Sequence, residues 1–79
     1  VPPTRTPDDH QLQQRRDVGD RIRRLRQHRG LSQERLAELA GVDRRTIGRW
    51  ELAQAPPTLD DLTALARALD VPILRLFWE

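Results

Sequence analysis

The chain has no cysteine. That excludes a disulfide framework and a thiolate metal site, and it is compatible with a reducing compartment. No apolar run approaches the length of a membrane span or of a signal-peptide core, so a soluble, cytoplasmic protein with no membrane partner is expected. Serine occurs once, at Ser32, and histidine only at His10 and His28. The two histidines lie far apart with no cysteine to join them, so no metal site is assigned. Ser32 precedes a helix and is explained as its cap. Asp60 and Asp61 fit the start of a helix better than a catalytic dyad, and no glycine-rich loop is present to cradle a phosphate. No catalytic residue and no cofactor is assigned, and an enzyme is not expected. Lysine is absent too: all 14 basic residues are arginine. This reflects either GC-rich coding or a use for the guanidinium fork, which makes bidentate contacts that an ammonium cannot. The chain begins at Val1 without an initiator methionine, which reads as a processed, trimmed or fragmentary chain.

What is present is charge, distributed unevenly. The 79 residues carry a net charge of +2. Residues 15–49 hold 11 arginines against five acids, a net of +6, whereas residues 50–79 hold two against five, a net of −3. A basic half suits a polyanion, and an acidic half suits some other task or a plain solvated surface. The length allows one small domain, whose single core supplies only a few kcal/mol of net stability.

Residues 31–51, LSQERLAELAGVDRRTIGRWE, organise the rest. Ser32 is a good N-cap, followed by an apolar stripe of Leu36, Ala37 and Ala40, so a helix is predicted over about 32–40. Gly41 ends it, because glycine enters the left-handed conformation without steric cost. Asp43 is a second cap, and a second helix is predicted over about 43–51. At 100° per residue, Ile47 and Trp50 lie on one side of it, and Arg44, Arg45, Gly48 and Arg49 on the other. Three guanidiniums around a bare glycine suit the major groove of DNA, which admits a helix and offers guanine O6 and N7 to a bidentate arginine. Ser32 and Gln33 open a helix whose N-terminal amides can bind a backbone phosphate. Gly48 would let the helix backbone come close to the duplex, or is simply a tolerated poor helix former. Thr46 either bonds a phosphate or flanks the helix.

The stretch resembles the helix-turn-helix of the Cro/repressor (Xre) family of bacterial and phage regulators. The matching residues are Leu31, Ser32, Gln33, Leu36, Ala37, Gly41, Val42, Ile47, Trp50 and Glu51, and the likeness extends over about residues 18–77. The resemblance implies that Arg44, Arg45 and Arg49 reach base edges. It also implies that Gln33 binds the DNA backbone and buttresses the first reader, and that Arg26 forms a structural ion pair with Glu51. An alternative role for Arg26 is a phosphate contact. Relatives commonly carry Asn-Gly after the second helix. Leu52 and Ala53 depart from that pattern, which implies either a lost backbone contact or packing gained from Leu52.

Around this motif, residues 1–16 read as a flexible, proline-containing arm, partly helical if Thr6-Pro7-Asp8-Asp9 is a helix start. Val18, Ile22 and Leu25 recur at helical spacing, so a first helix is predicted from Asp17 to about Arg29, ended by Gly30; with the resemblance, residues 17–79 are expected to be the DNA-binding domain. Thr58 caps a fourth helix with an apolar stripe of Leu59, Leu62, Leu65, Ala66 and Leu69, ended by Pro72. A fifth helix is predicted over 72–78, with Ile73, Leu76 and Phe77 able to face the core. Leu74 and Trp78 lie on a side that the core does not obviously reach. Leu74, Phe77 and Trp78 are therefore candidates for a dimer interface, with Trp78 folding back on its own domain as the other reading.

The expected fold is all-α, a five-helix, repressor-like DNA-binding domain. The expected function is a sequence-specific transcriptional regulator of double-stranded DNA, acting as a homodimer on a palindrome. The alternative is an antitoxin or other helical interaction module whose partner is a protein, such as a toxin or a sensor domain.

Overall fold

Each helix forms where an apolar stripe at helical spacing is preceded by a side chain that satisfies the free N–H groups of the first turn. The computed structural model describes residues 6–78. Among them it shows α1 (Asp9–His28), α2 (Gln33–Ala40), α3 (Arg44–Glu51), α4 (Leu59–Leu69) and a final 3-10 turn (Ile73–Leu76), with no strand. Ser32 Oγ accepts from Arg35 N at 3.0 Å, and Asp43 Oδ1 from Arg45 N at 2.7 Å. Thr58 and Asp61 exchange reciprocal capping bonds of 3.1 and 2.8 Å. Gly41 closes α2 in the left-handed conformation at φ 73°, which lets Val42 N donate to Ala37 O at 3.0 Å.

The fold is all-α, but the expected fifth helix is not α-helical. After Pro72 only residues 73–76 wind, with the i→i+3 bond from Arg75 N to Pro72 O at 2.9 Å. The tighter 3-10 pattern closes in fewer residues, and a single α-type bond, Trp78 N to Leu74 O at 2.9 Å, follows it. The change alters which side chains turn inward. Leu76 is fully buried and Phe77 is partly buried against the core, whereas Ile73 faces outward beside Leu74 and Trp78.

The N-terminus differs as well. Helix α1 starts at Asp9, so residues 9–16, read above as part of the arm, form its first two turns. The cap is Asp8 rather than Thr6: Asp8 Oδ1 accepts from Gln11 N and Asp8 N donates to Gln11 Oε1, both at 2.9 Å. Good helix formers in the QLQQRR run then carry the helix onward. Of the rest of the expected arm, residues 6–8 lead into the helix, and residues 1–5 lie outside the described residues, as does Glu79.

One core joins all the elements: Val18 and Ile22 from α1, Leu36 from α2, Ile47 and Trp50 from α3, Leu65 and Leu69 from α4, and Leu76. Leu59 does not join it and is 70% exposed, because it opens α4 at the edge of the stripe, a full turn short of the packed layer. Between α1 and α3 the fit depends on Gly19, buried among these residues. A Cβ there would overlap the Trp50 carbonyl oxygen and stand 3.0 Å from that of Glu51. These obstacles are main chain, which cannot rotate aside. Gly19→Ala is expected to cost about 1–3 kcal/mol as an overpacked contact, measured by urea unfolding. An unchanged midpoint would show that α1 and α3 separate without cost.

Candidate nucleic-acid interface

Helix α3 presents two sides, set by its sequence spacing. Ile47 and Trp50 are buried, while Arg44, Arg45 and Arg49 are exposed. Thr46 and Gly48 lie half-buried at the margins. The apolar side anchors the helix and so fixes the direction in which the guanidiniums point.

A polar chain runs behind this face. Arg26 Nε donates to Glu51 Oε2 at 2.7 Å and Nη2 to Glu51 Oε1 at 3.0 Å, a bidentate pair. Its third donor, Nη1, reaches the Leu31 carbonyl at 2.9 Å, in the α1–α2 connection. Gln33 Nε2 donates to Glu51 Oε1 at 3.0 Å, and Gln33 Oε1 accepts from Arg44 Nη1 at 3.1 Å. A hydrogen-bonded path therefore leads from α1 through the last residue of α3 and the first of α2 to an exposed arginine. The side chains of Arg26 and Glu51 are only 12% and 3% exposed. The hydrogen bond to Glu51 raises the Arg26 pKa above its ordinary value, against the opposing effect of burial.

The candidate base readers differ in how they are held. Arg44 is braced by Gln33. Arg45 is almost fully solvated, its Nε 3.7 Å from Asp43 Oδ1, an exposed pair that contributes little. Arg49 is exposed one turn further on. Ser32 is exposed and caps α2, and Gln33 is half-buried beside it. Leu74 and Trp78 are far along the chain from this face and are exposed. Leu52, which follows α3, is 70% exposed, so the packing it was offered as gaining is not made. Ala53 beyond it has φ 59°, a left-handed position that usually takes glycine. The strain is held by Gln54 N donating to Arg49 O at 2.8 Å.

Three features were missed in the sequence. Gly19 had a signal, since an isolated glycine inside a helical pattern points to close packing. The Gln33–Glu51 bond and the Leu31 carbonyl acceptor had none, because they join side chains and main chain across three elements.

Among the described residues no group of three or more His, Cys, Asp or Glu could hold a metal ion, and no helix is long and apolar enough to cross a membrane.

Comparison with known proteins gives one answer. A family model described as helix-turn-helix matches residues 22–76. The chain is 38% identical over 53 residues to the SPbeta prophage-derived HTH-type transcriptional regulator YonR of Bacillus subtilis, covering 67% of this chain and 49% of that protein. It is 37% identical over 59 residues to the control protein C.SmaI of Serratia marcescens, covering 75% of this chain and 70% of that one. The crystal structure of the restriction–modification controller protein C.AhdI from Aeromonas hydrophila superposes with a TM-score of 0.78 at 43% identity, covering 80% of this chain and 96% of that one. The chain spans less than half the length of YonR.

Gly48 is not required by packing. A Cβ at that position would meet only Gln33 Nε2, at 3.9 Å, so the protein itself does not require glycine there. Gly48→Ala is expected to stabilise the fold by up to ~1 kcal/mol while weakening duplex binding, measured by thermal melting and by fluorescence anisotropy on the same preparation. A variant that gains stability and keeps its affinity would show that the duplex does not approach the helix backbone here.

Proposed function

The chain belongs to the helix-turn-helix family, and from that premise we propose that it is a sequence-specific DNA-binding transcriptional regulator acting as a homodimer. The observation that carries this reading is the exposed Arg44, Arg45 and Arg49 face of α3, backed by the Gln33–Glu51–Arg26 chain. A helix that only filled space would not need a braced guanidinium at its start. Arg44 and Arg45 contact bases or phosphates where α3 enters the groove, and Arg49 reads deeper. Ser32, Gln33 and Thr46 contact the backbone, where the α2 amides favour a phosphate.

The match to C.AhdI and C.SmaI supports a narrower assignment, a control protein of a restriction–modification system. The chain covers nearly all of the former and 70% of the latter, so the likeness is to small regulators of similar extent.

Selection of binding sites from a random duplex pool tests the reading. The expected product is a two-fold symmetric motif with guanines in each half-site. On that motif Arg49→Ala is expected to lose ~1–3 kcal/mol and to relax preference at one base pair. An equal loss on every sequence would make Arg49 a phosphate contact, and a pool without any motif would overturn specific readout.

The dimer is proposed to form through Leu74 and Trp78, which are 63% and 69% exposed, with Phe77 bracing the turn from the core side. Two such side chains four residues apart give an apolar patch that water disfavours. Leu74→Asp is expected to shift the sedimentation coefficient to that of a monomer and to weaken binding to a two-half-site duplex more than to a single half-site. A wild-type monomer at micromolar concentration would instead assign the patch to a different protein, as in the antitoxin reading.

A further inference from the structure

We propose that the side of α1 turned away from the reading helix carries a pocket for the phosphate group of a small phosphorylated molecule. Arg21, Arg24, Leu25 and His28 recur on one stripe of α1 and, with Arg75 from the 3-10 turn, line a pocket of about 420 Å³. That volume falls in the range of small-molecule sites. Residues Val18, Gly19, Ile22 and Arg26 form the side of α1 that meets α3. At 100° per residue the pocket stripe is centred roughly 130° around the helix from them. The pocket is therefore separate from the proposed duplex contacts.

The chemistry of the lining is one-sided. Three guanidiniums and an imidazole converge, and no carboxylate is among the lining residues. Arg24 also pairs with Asp20 at 3.3 Å on the helix surface, so the assignment depends chiefly on Arg21, His28 and Arg75. Arg21 is half-buried where it lines the pocket, and its buried Nε has no hydrogen-bond acceptor among the described residues, so the outer ends of its guanidinium are the donors it can offer a bound molecule. A phosphate dianion matches this setting better than a single carboxylate. It brings more oxygens to accept from forked donors, and its charge neutralises more than one guanidinium. Leu25 supplies an apolar wall, against which the remainder of a phosphorylated molecule could lie.

The test uses inorganic phosphate and phenyl phosphate as probes, titrated into the full chain and followed by backbone amide shifts, with sodium chloride at matched ionic strength as control. Saturable shifts confined to residues 21–28 and 75 are expected. The double variant Arg21→Gln, Arg75→Gln should weaken phosphate binding about tenfold or more, since each lost bond involves a charged donor. It should also melt as the parent does and bind the selected duplex with unchanged affinity. Equal shifts with chloride, or phosphate shifts centred on α2 and α3, would overturn the pocket. A double variant that loses duplex affinity in step with phosphate affinity would overturn it too, by assigning these arginines to the DNA backbone.

Discussion

The carboxylate of Glu51 is the point on which the arrangement depends. It is buried, and a buried charge is tolerated only when paired and fully hydrogen-bonded. Two N–H groups of Arg26 and one of Gln33 meet that requirement. Exposed ion pairs are worth at most about 1 kcal/mol, whereas removing one partner of a buried pair costs about 3–5. A domain of this size has only a few kcal/mol in hand. The neighbouring surface pairs, such as Arg23–Asp20 and Arg35–Glu38, are therefore minor beside this one. Arg26 has its pKa raised in the fold. Its contribution is thus complete below the ordinary arginine pKa and is lost only as pH rises through the higher folded value. Arg26 therefore acts as a constant clamp across the physiological range and not as a pH switch.

The clamp connects to function through geometry. Glu51 ends α3, Gln33 begins α2, and Arg26 belongs to α1, so one carboxylate fixes three helices relative to each other. The two glycines in this region work in opposite senses. Gly19 is needed by the protein, since main chain of α3 occupies the space beside it. Gly48 is not, since a Cβ there would meet only Gln33 Nε2 at 3.9 Å. A helix rule broken without a packing reason agrees with the duplex approach proposed for Gly48.

Most of the fold was legible because local rules agreed with one another. Ser32, Gly41, Asp43 and Thr58 each mark a boundary by a mechanism that acts within four residues, and the structure has its helix ends at those places. What failed depended on longer range or on competition between near-equal choices. Thr6 and Asp8 both qualify as caps, and Gln11 decides for Asp8 by returning a bond. Leu59 fits the stripe of α4 by spacing, yet whether a first-turn side chain is covered depends on what lies opposite. The last segment has helical spacing, yet it winds as a 3-10 turn with only one α-type bond, Trp78 N to Leu74 O. Of the proposed interface, the exposure of the three arginines followed from periodicity alone. The support behind them was reachable only through family resemblance, and in part not at all.

Size then constrains how such a surface can single out a site. Helix α3 has eight residues and is about 12 Å long, which spans only three to four base pairs at 3.4 Å each. Three arginine contacts at about 1–3 kcal/mol apiece reach the roughly 8 kcal/mol that singles out one site among a million competitors only if each is near its upper limit. Duplicating the surface across a two-fold axis doubles the sequence read without enlarging the domain. The uneven charge of the chain fits this division. The basic residues 15–49 include α3, and the acidic residues 50–79 carry the exposed Leu74 and Trp78.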